Sequence, residues 1–118
     1  METAHSCVWQ GFVRAYTDIL EAAPSSYRKI LLHLANEPSK PLIIHCTAGK
    51  DRTGVLCALI LSLCGVEDHI VAYEYSLTEK GLAEFKEVLI AHLMASLALK
   101  GDRNGAINMI SAKYVLPI

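Results

Sequence analysis

The chain has 118 residues, 53% of them hydrophobic and 19% charged, with a formal net charge of −1. That composition excludes a disordered polymer and suits one compact domain. Basic residues are scattered without a stripe, which excludes the electrostatic footprint of a nucleic-acid binder.

In chain order, Phe12, Tyr16, Ile19, Leu20 and Ala23 recur at helical spacing and predict a first amphipathic helix, with Asp18 on its wetter side. Pro24-Ser25-Ser26 breaks that helix and offers a cap for a second, whose apolar stripe is Tyr27, Ile30, Leu31 and Leu34 and whose end lies near Asn36-Glu37-Pro38. Leu42-Ile43-Ile44 is short, continuously apolar and bounded by proline, the pattern of a buried parallel strand over about 42–45. A helix from Thr53 to Cys64 is apolar nearly all round, as a central buried helix would be, with Gly65 placed to end it. A short helix is expected near Glu67 to Tyr75. Thr78 then reads as the cap of a long helix reaching about Leu99, with Leu82, Phe85, Val88, Leu89 and Leu93 on its inner face.

Between strand and third helix lies the decapeptide His45-Cys46-Thr47-Ala48-Gly49-Lys50-Asp51-Arg52-Thr53-Gly54. A cysteine six residues before an arginine, on a strand-to-helix turn, is suited to hold a phosphoryl group. At the amino end of a helix, partial positive charge and unpaired N–H groups favour the thiolate of Cys46. The backbone from Thr47 through Ala48 to Arg52 is expected to curl into an anion nest, with Gly49 permitting the curl. Arg52 can donate a bidentate pair to phosphoryl oxygens as phosphorus passes to sulfur. Thr53 is placed to hydrogen-bond the sulfur and help it leave when water hydrolyses the phosphocysteine. Lys50 adds a second positive charge near the phosphate mouth, which suits substrates with more than one anionic group; its bland reading is a solvated loop charge. No metal or other cofactor is required. A Walker loop is excluded, because aspartate follows Gly49-Lys50 where a magnesium-binding Ser or Thr belongs.

The decapeptide resembles the signature loop of the cysteine-dependent phosphatases, His-Cys-x5-Arg-Ser/Thr, and its variant is similar to that of atypical tyrosine and phosphoinositide phosphatases of bacteria and fungi. Gly11 to Leu34, Gly65-Val66 and Tyr75 to Leu82 extend the likeness over roughly residues 8 to 95. The resemblance implies an α/β, protein-tyrosine-phosphatase-like fold of the dual-specificity type. It also implies that His45 hydrogen-bonds the loop backbone without touching substrate. In classical relatives the general acid lies on a loop roughly 30 residues upstream of the cysteine. Here that region offers only Asp18 and Glu21, both within a helical pattern, which leaves Asp51 as the candidate acid.

The implied function is phosphomonoester hydrolysis on phosphotyrosine proteins or phosphoinositides; the alternative is a phosphate-binding module that keeps the nest without turnover. The family's sheet draws most strands from sequence upstream of residue 8, so a single, truncated catalytic domain with an incomplete sheet is expected, and a homodimer could cover the open edge. Cysteines 7, 46, 57 and 64 show no paired-ligand spacing and suggest a reducing compartment. The apolar runs are too short to span a bilayer and the first residues do not read as a secretory leader, so a soluble, cytoplasmic chain without stable membrane insertion is expected.

Overall fold

The computed structural model describes residues 4–96 and 100–111, with side chains from residue 9 onward. The chain divides into two compact units, Met1–Glu67 and Asp68–Ile118.

The first unit holds α1 (Ala4–Ala22), α2 (Pro24–Asn36) and α3 (Arg52–Leu63). On α1 the predicted stripe is largely realised: Tyr16 is buried and Phe12 and Ile19 are half-buried, although Leu20 faces solvent. Proline opens α2 from its first turn, where its missing N–H costs nothing. Neither Ser25 nor Ser26 caps that helix; Ala23 occupies the cap position with no side-chain hydrogen bond. The end at Asn36 is where the sequence places it, closed by the Glu37 N–H donating to the His33 carbonyl at 2.9 Å.

The strand expected at 42–45 is not formed. Residues 41–46 are irregular, and there is no β-strand among the described residues, so the α/β class is not realised there and the fold is helical. The physical reason is that a strand exists only through hydrogen bonds to a neighbour. Without one, Ile43 stands 87% exposed.

Helix α3 runs one residue earlier than expected at each end, and it is less enclosed than a central helix. Leu56 and Ala58 are buried, while Leu63 faces solvent. Gly65, at a φ of 81°, ends it as expected: its N–H donates to the Ser62 carbonyl at 3.0 Å and that of Val66 to the Leu61 carbonyl at 3.1 Å.

The second unit carries α4 (Asp68–Ser76), α5 (Thr78–Leu82), α6 (Lys86–Met94) and α7 (Arg103–Ile110). The long helix expected from Thr78 is broken: a 3-10 turn at Ala83–Phe85 separates α5 from α6, and Leu77 rather than Thr78 holds the cap position. Gly81 weakens the run just before the break. The turn rotates the face, so Phe85 and Val88 lie exposed and Ile90 takes the interior with Leu89 and Leu93 beside it. The expected end near Leu99 lies outside the described residues. Ile90 packs with Ala106 and Ile110 of α7, and Arg103 reaches Glu87 with a two-pronged contact at 3.0 and 3.2 Å. No helix among the described residues is long and apolar enough to cross a membrane.

Candidate active site

The decapeptide leads from the irregular segment 41–46 into α3, and its local conformation follows from two features of sequence. Gly49 has a φ of 68°, which side chains rarely tolerate, and it turns the chain back. Asp51 then takes the cap position of α3, its carbonyl accepting the Val55 N–H at 2.9 Å.

The turn gathers donors on Cys46, which is half-buried with a free thiol. Partial burial pushes that thiol up, but the Thr53 hydroxyl and the N–H groups of Thr53, Gly49 and Ala48 hydrogen-bond the sulfur and bring it down from 9.0 to about 7. The Thr53 Oγ1 is itself buried. At the first residue of α3, Arg52 folds back across the loop and its Nη2 donates to Thr47 Oγ1 at 3.1 Å. Arg52 is exposed, where solvent-borne anions can reach it.

Lys50 is placed differently from both readings that the sequence offers, and Asp51 meets it. The Lys50 side chain is 1% exposed and its ammonium meets Asp51 Oδ1 at 2.5 Å and the Tyr16 hydroxyl at 3.4 Å. It lies 5.4 Å from the ring centroid of Phe12 and 6.0 Å from that of Tyr16. Lys50 is therefore neither a solvated loop charge nor an open cation at the mouth. The Tyr16 hydroxyl donates to the same Asp51 Oδ1 at 2.8 Å, and the two rings meet edge to face. His45 is exposed and makes no hydrogen bond to the loop backbone among the described residues, in contrast to the supporting contact implied by the resemblance. No cluster of His, Cys, Asp or Glu that could hold a metal ion occurs among the described residues.

Sequence reasoning missed the two tyrosines that meet this loop. Tyr16 reads as helix core, yet its hydroxyl ends on Asp51; Tyr27 reads as part of the α2 stripe, yet its hydroxyl donates to the Arg52 carbonyl at 3.4 Å. The available signal is chemical: a buried tyrosine must place its hydroxyl somewhere.

Among proteins of known name, the chain is 31% identical over 64 residues to a tyrosine-protein phosphatase of Nostoc commune, a stretch covering 54% of this chain and 22% of that protein. It is 42% identical over 36 residues to the triple specificity protein phosphatase PtpB of Mycobacterium tuberculosis, covering 30% of this chain and 13% of that protein. The matched stretches thus span about a fifth or less of these relatives' lengths. No solved structure matches significantly. The profile of the tyrosine phosphatase family matches residues 2–115, nearly the whole chain, and the chain belongs to that family.

Proposed function

We propose that this chain carries the catalytic loop of a cysteine-dependent phosphatase that hydrolyses phosphomonoesters, with phosphotyrosine in proteins as the favoured substrate. The observation that carries the reading is the convergence of three N–H groups and the Thr53 hydroxyl on Cys46, beside an arginine folded over the same loop.

The phosphoryl group sits on the amides of the loop from Thr47 through Ala48, Gly49, Lys50 and Asp51 to Arg52, with the Arg52 guanidinium on two of its oxygens. The Cys46 thiolate attacks phosphorus, an S–P bond forms, and the P–O bond to the leaving group breaks. Asp51 gives the leaving oxygen its proton from Oδ2, since Oδ1 is taken by Tyr16 and Lys50. Water then attacks phosphorus and returns a proton to Asp51, the S–P bond breaks, and inorganic phosphate leaves. Thr53 steadies the departing sulfur.

Phosphoinositides are the weaker arm. Their case rests on Lys50 as a second cation at the mouth, and a side chain 1% exposed is poorly placed to meet a lipid phosphate. Cysteine nucleophiles need a reducing setting, which favours the cytoplasm. The uncovered Ile43 segment suits pairing between two copies of the chain.

The test is pre-steady-state release of p-nitrophenol from p-nitrophenyl phosphate. A burst stoichiometric with protein, lost in Cys46→Ser, is expected. Turnover that survives Cys46→Ser would refute the mechanism.

A further inference from the structure

A lysine on a surface loop normally keeps its ammonium in water, because burial removes hydration worth several kcal/mol unless partners replace it. Lys50 is enclosed nonetheless, and its described partners are Asp51 Oδ1, the Tyr16 hydroxyl and the faces of Phe12 and Tyr16. Tyr16 in turn donates to the Asp51 oxygen that meets the ammonium, across 35 residues of sequence. Two donors on one carboxylate oxygen form a clasp between α1 and the loop.

The clasp sits at a telling point in the chain. Lys50 and Asp51 lie between Gly49 and Thr53, whose N–H groups both donate to the Cys46 sulfur. Pinning side chains 50 and 51 fixes the intervening peptide planes, and with them the direction of the donors on either side. A second brace acts at the next residue, where the Tyr27 hydroxyl of α2 donates to the Arg52 carbonyl.

We infer that Tyr16 and Lys50 are positioning residues: they clasp Asp51 against α1 and so hold the phosphate loop in the shape that directs its donors at Cys46. Neither side chain touches substrate. The charge of Lys50 is consumed internally, so its part in the reaction is exerted through Asp51. This rests on the assignment of Cys46 and Asp51 proposed above.

Tyr16→Phe removes one oxygen while keeping the ring that packs on Lys50 and Phe12, and it alters no charge at neutral pH. Any change in Cys46 titration then reports loop geometry and not a lost cation. The 118-residue chain and the variant are alkylated with iodoacetamide across pH, and turnover of p-nitrophenyl phosphate and phenyl phosphate is measured alongside. The expected result is an alkylation midpoint that rises by about half a unit or more, roughly halving the thiolate at pH 7, with kcat falling and KM little changed. Lys50→Met, read by the leaving groups, gives a second handle should the tyrosine variant not fold. Its kcat should fall further on phenyl phosphate, which needs a proton donor, than on p-nitrophenyl phosphate, which scarcely does.

A midpoint unchanged in folded Tyr16→Phe overturns the clasp, as does a wild-type midpoint near that of an ordinary thiol. Equal losses on both esters in Lys50→Met overturn the part given to Lys50. If the wild-type chain fails to turn over either ester while its midpoint still rises in Tyr16→Phe, the clasp stands and the phosphatase reading falls. If the wild type turns over and Tyr16→Phe matches it in rate and midpoint, the reverse holds.

Discussion

At Cys46 two influences oppose one another: partial burial disfavours the thiolate, and the hydroxyl and amides of the loop favour it by more, leaving the group near 7. The sign for reactivity follows directly. The thiolate is the nucleophile, so alkylation and kcat/KM should climb between about pH 6 and pH 8 and level off above, as the thiol loses its proton. Thr53 offers a way to separate the donors, since its hydroxyl and its N–H both reach the sulfur. Thr53→Ala deletes the hydroxyl alone, and the midpoint should move up toward the ordinary thiol value of about 8.5 while Thr53→Ser restores it. A midpoint equal in all three proteins would show that the amides alone set it. These residues were legible because they are contiguous: the turn, the nucleophile and its donors span ten positions. Tyr16 was not legible in its role, because its partner lies 35 residues away and periodicity records only that the position faces inward.

Elements carried by their own caps and stripes emerged from the pattern, and elements that need a partner did not. The boundaries of α2 and α3 follow from Pro24, Asn36 and Gly65, each a local backbone preference. The segment 41–46 has the composition of a buried strand but no neighbour among the described residues to hydrogen-bond it. The long helix after Thr78 fails for a different reason, since a 3-10 turn shifts the register and Ile90, absent from the predicted inner face, becomes central. Helix α7 shows how much a cap carries in a short element. It has only 8 residues, and Asp102 Oδ1 accepts the Gly105 N–H at 3.0 Å to satisfy its first turn. Asp102→Ala should therefore cost about 1 kcal/mol in urea unfolding, and Asp102→Asn appreciably less. Equal stability of the alanine variant would mean that packing of Ala106 and Ile110 alone holds the helix.

For the whole molecule, the apolar content that argues for a globular chain is only partly used. Leu56, Val71 and Ile90 are deeply buried, but Ile43, Leu63, Tyr73, Phe85 and Val88 are each more than half exposed. Hydropathy counts such residues as core without knowing what covers them, which is why composition overstated the interior. Exposed apolar side chains are ordinary when scattered. Ile43 is different, because it lies in a segment that pairs with no strand among the described residues, and unpaired extended segments recruit copies of themselves. Sedimentation velocity should therefore show a mass that rises with concentration. Ile43→Lys should lower that tendency by placing a charge on the edge, and it should leave the alkylation midpoint of Cys46 in place, because the donors to the sulfur all follow position 46. A single species at monomer mass across the range would remove self-pairing as an account of this segment. Association undiminished in Ile43→Lys would shift it to the other exposed apolar positions.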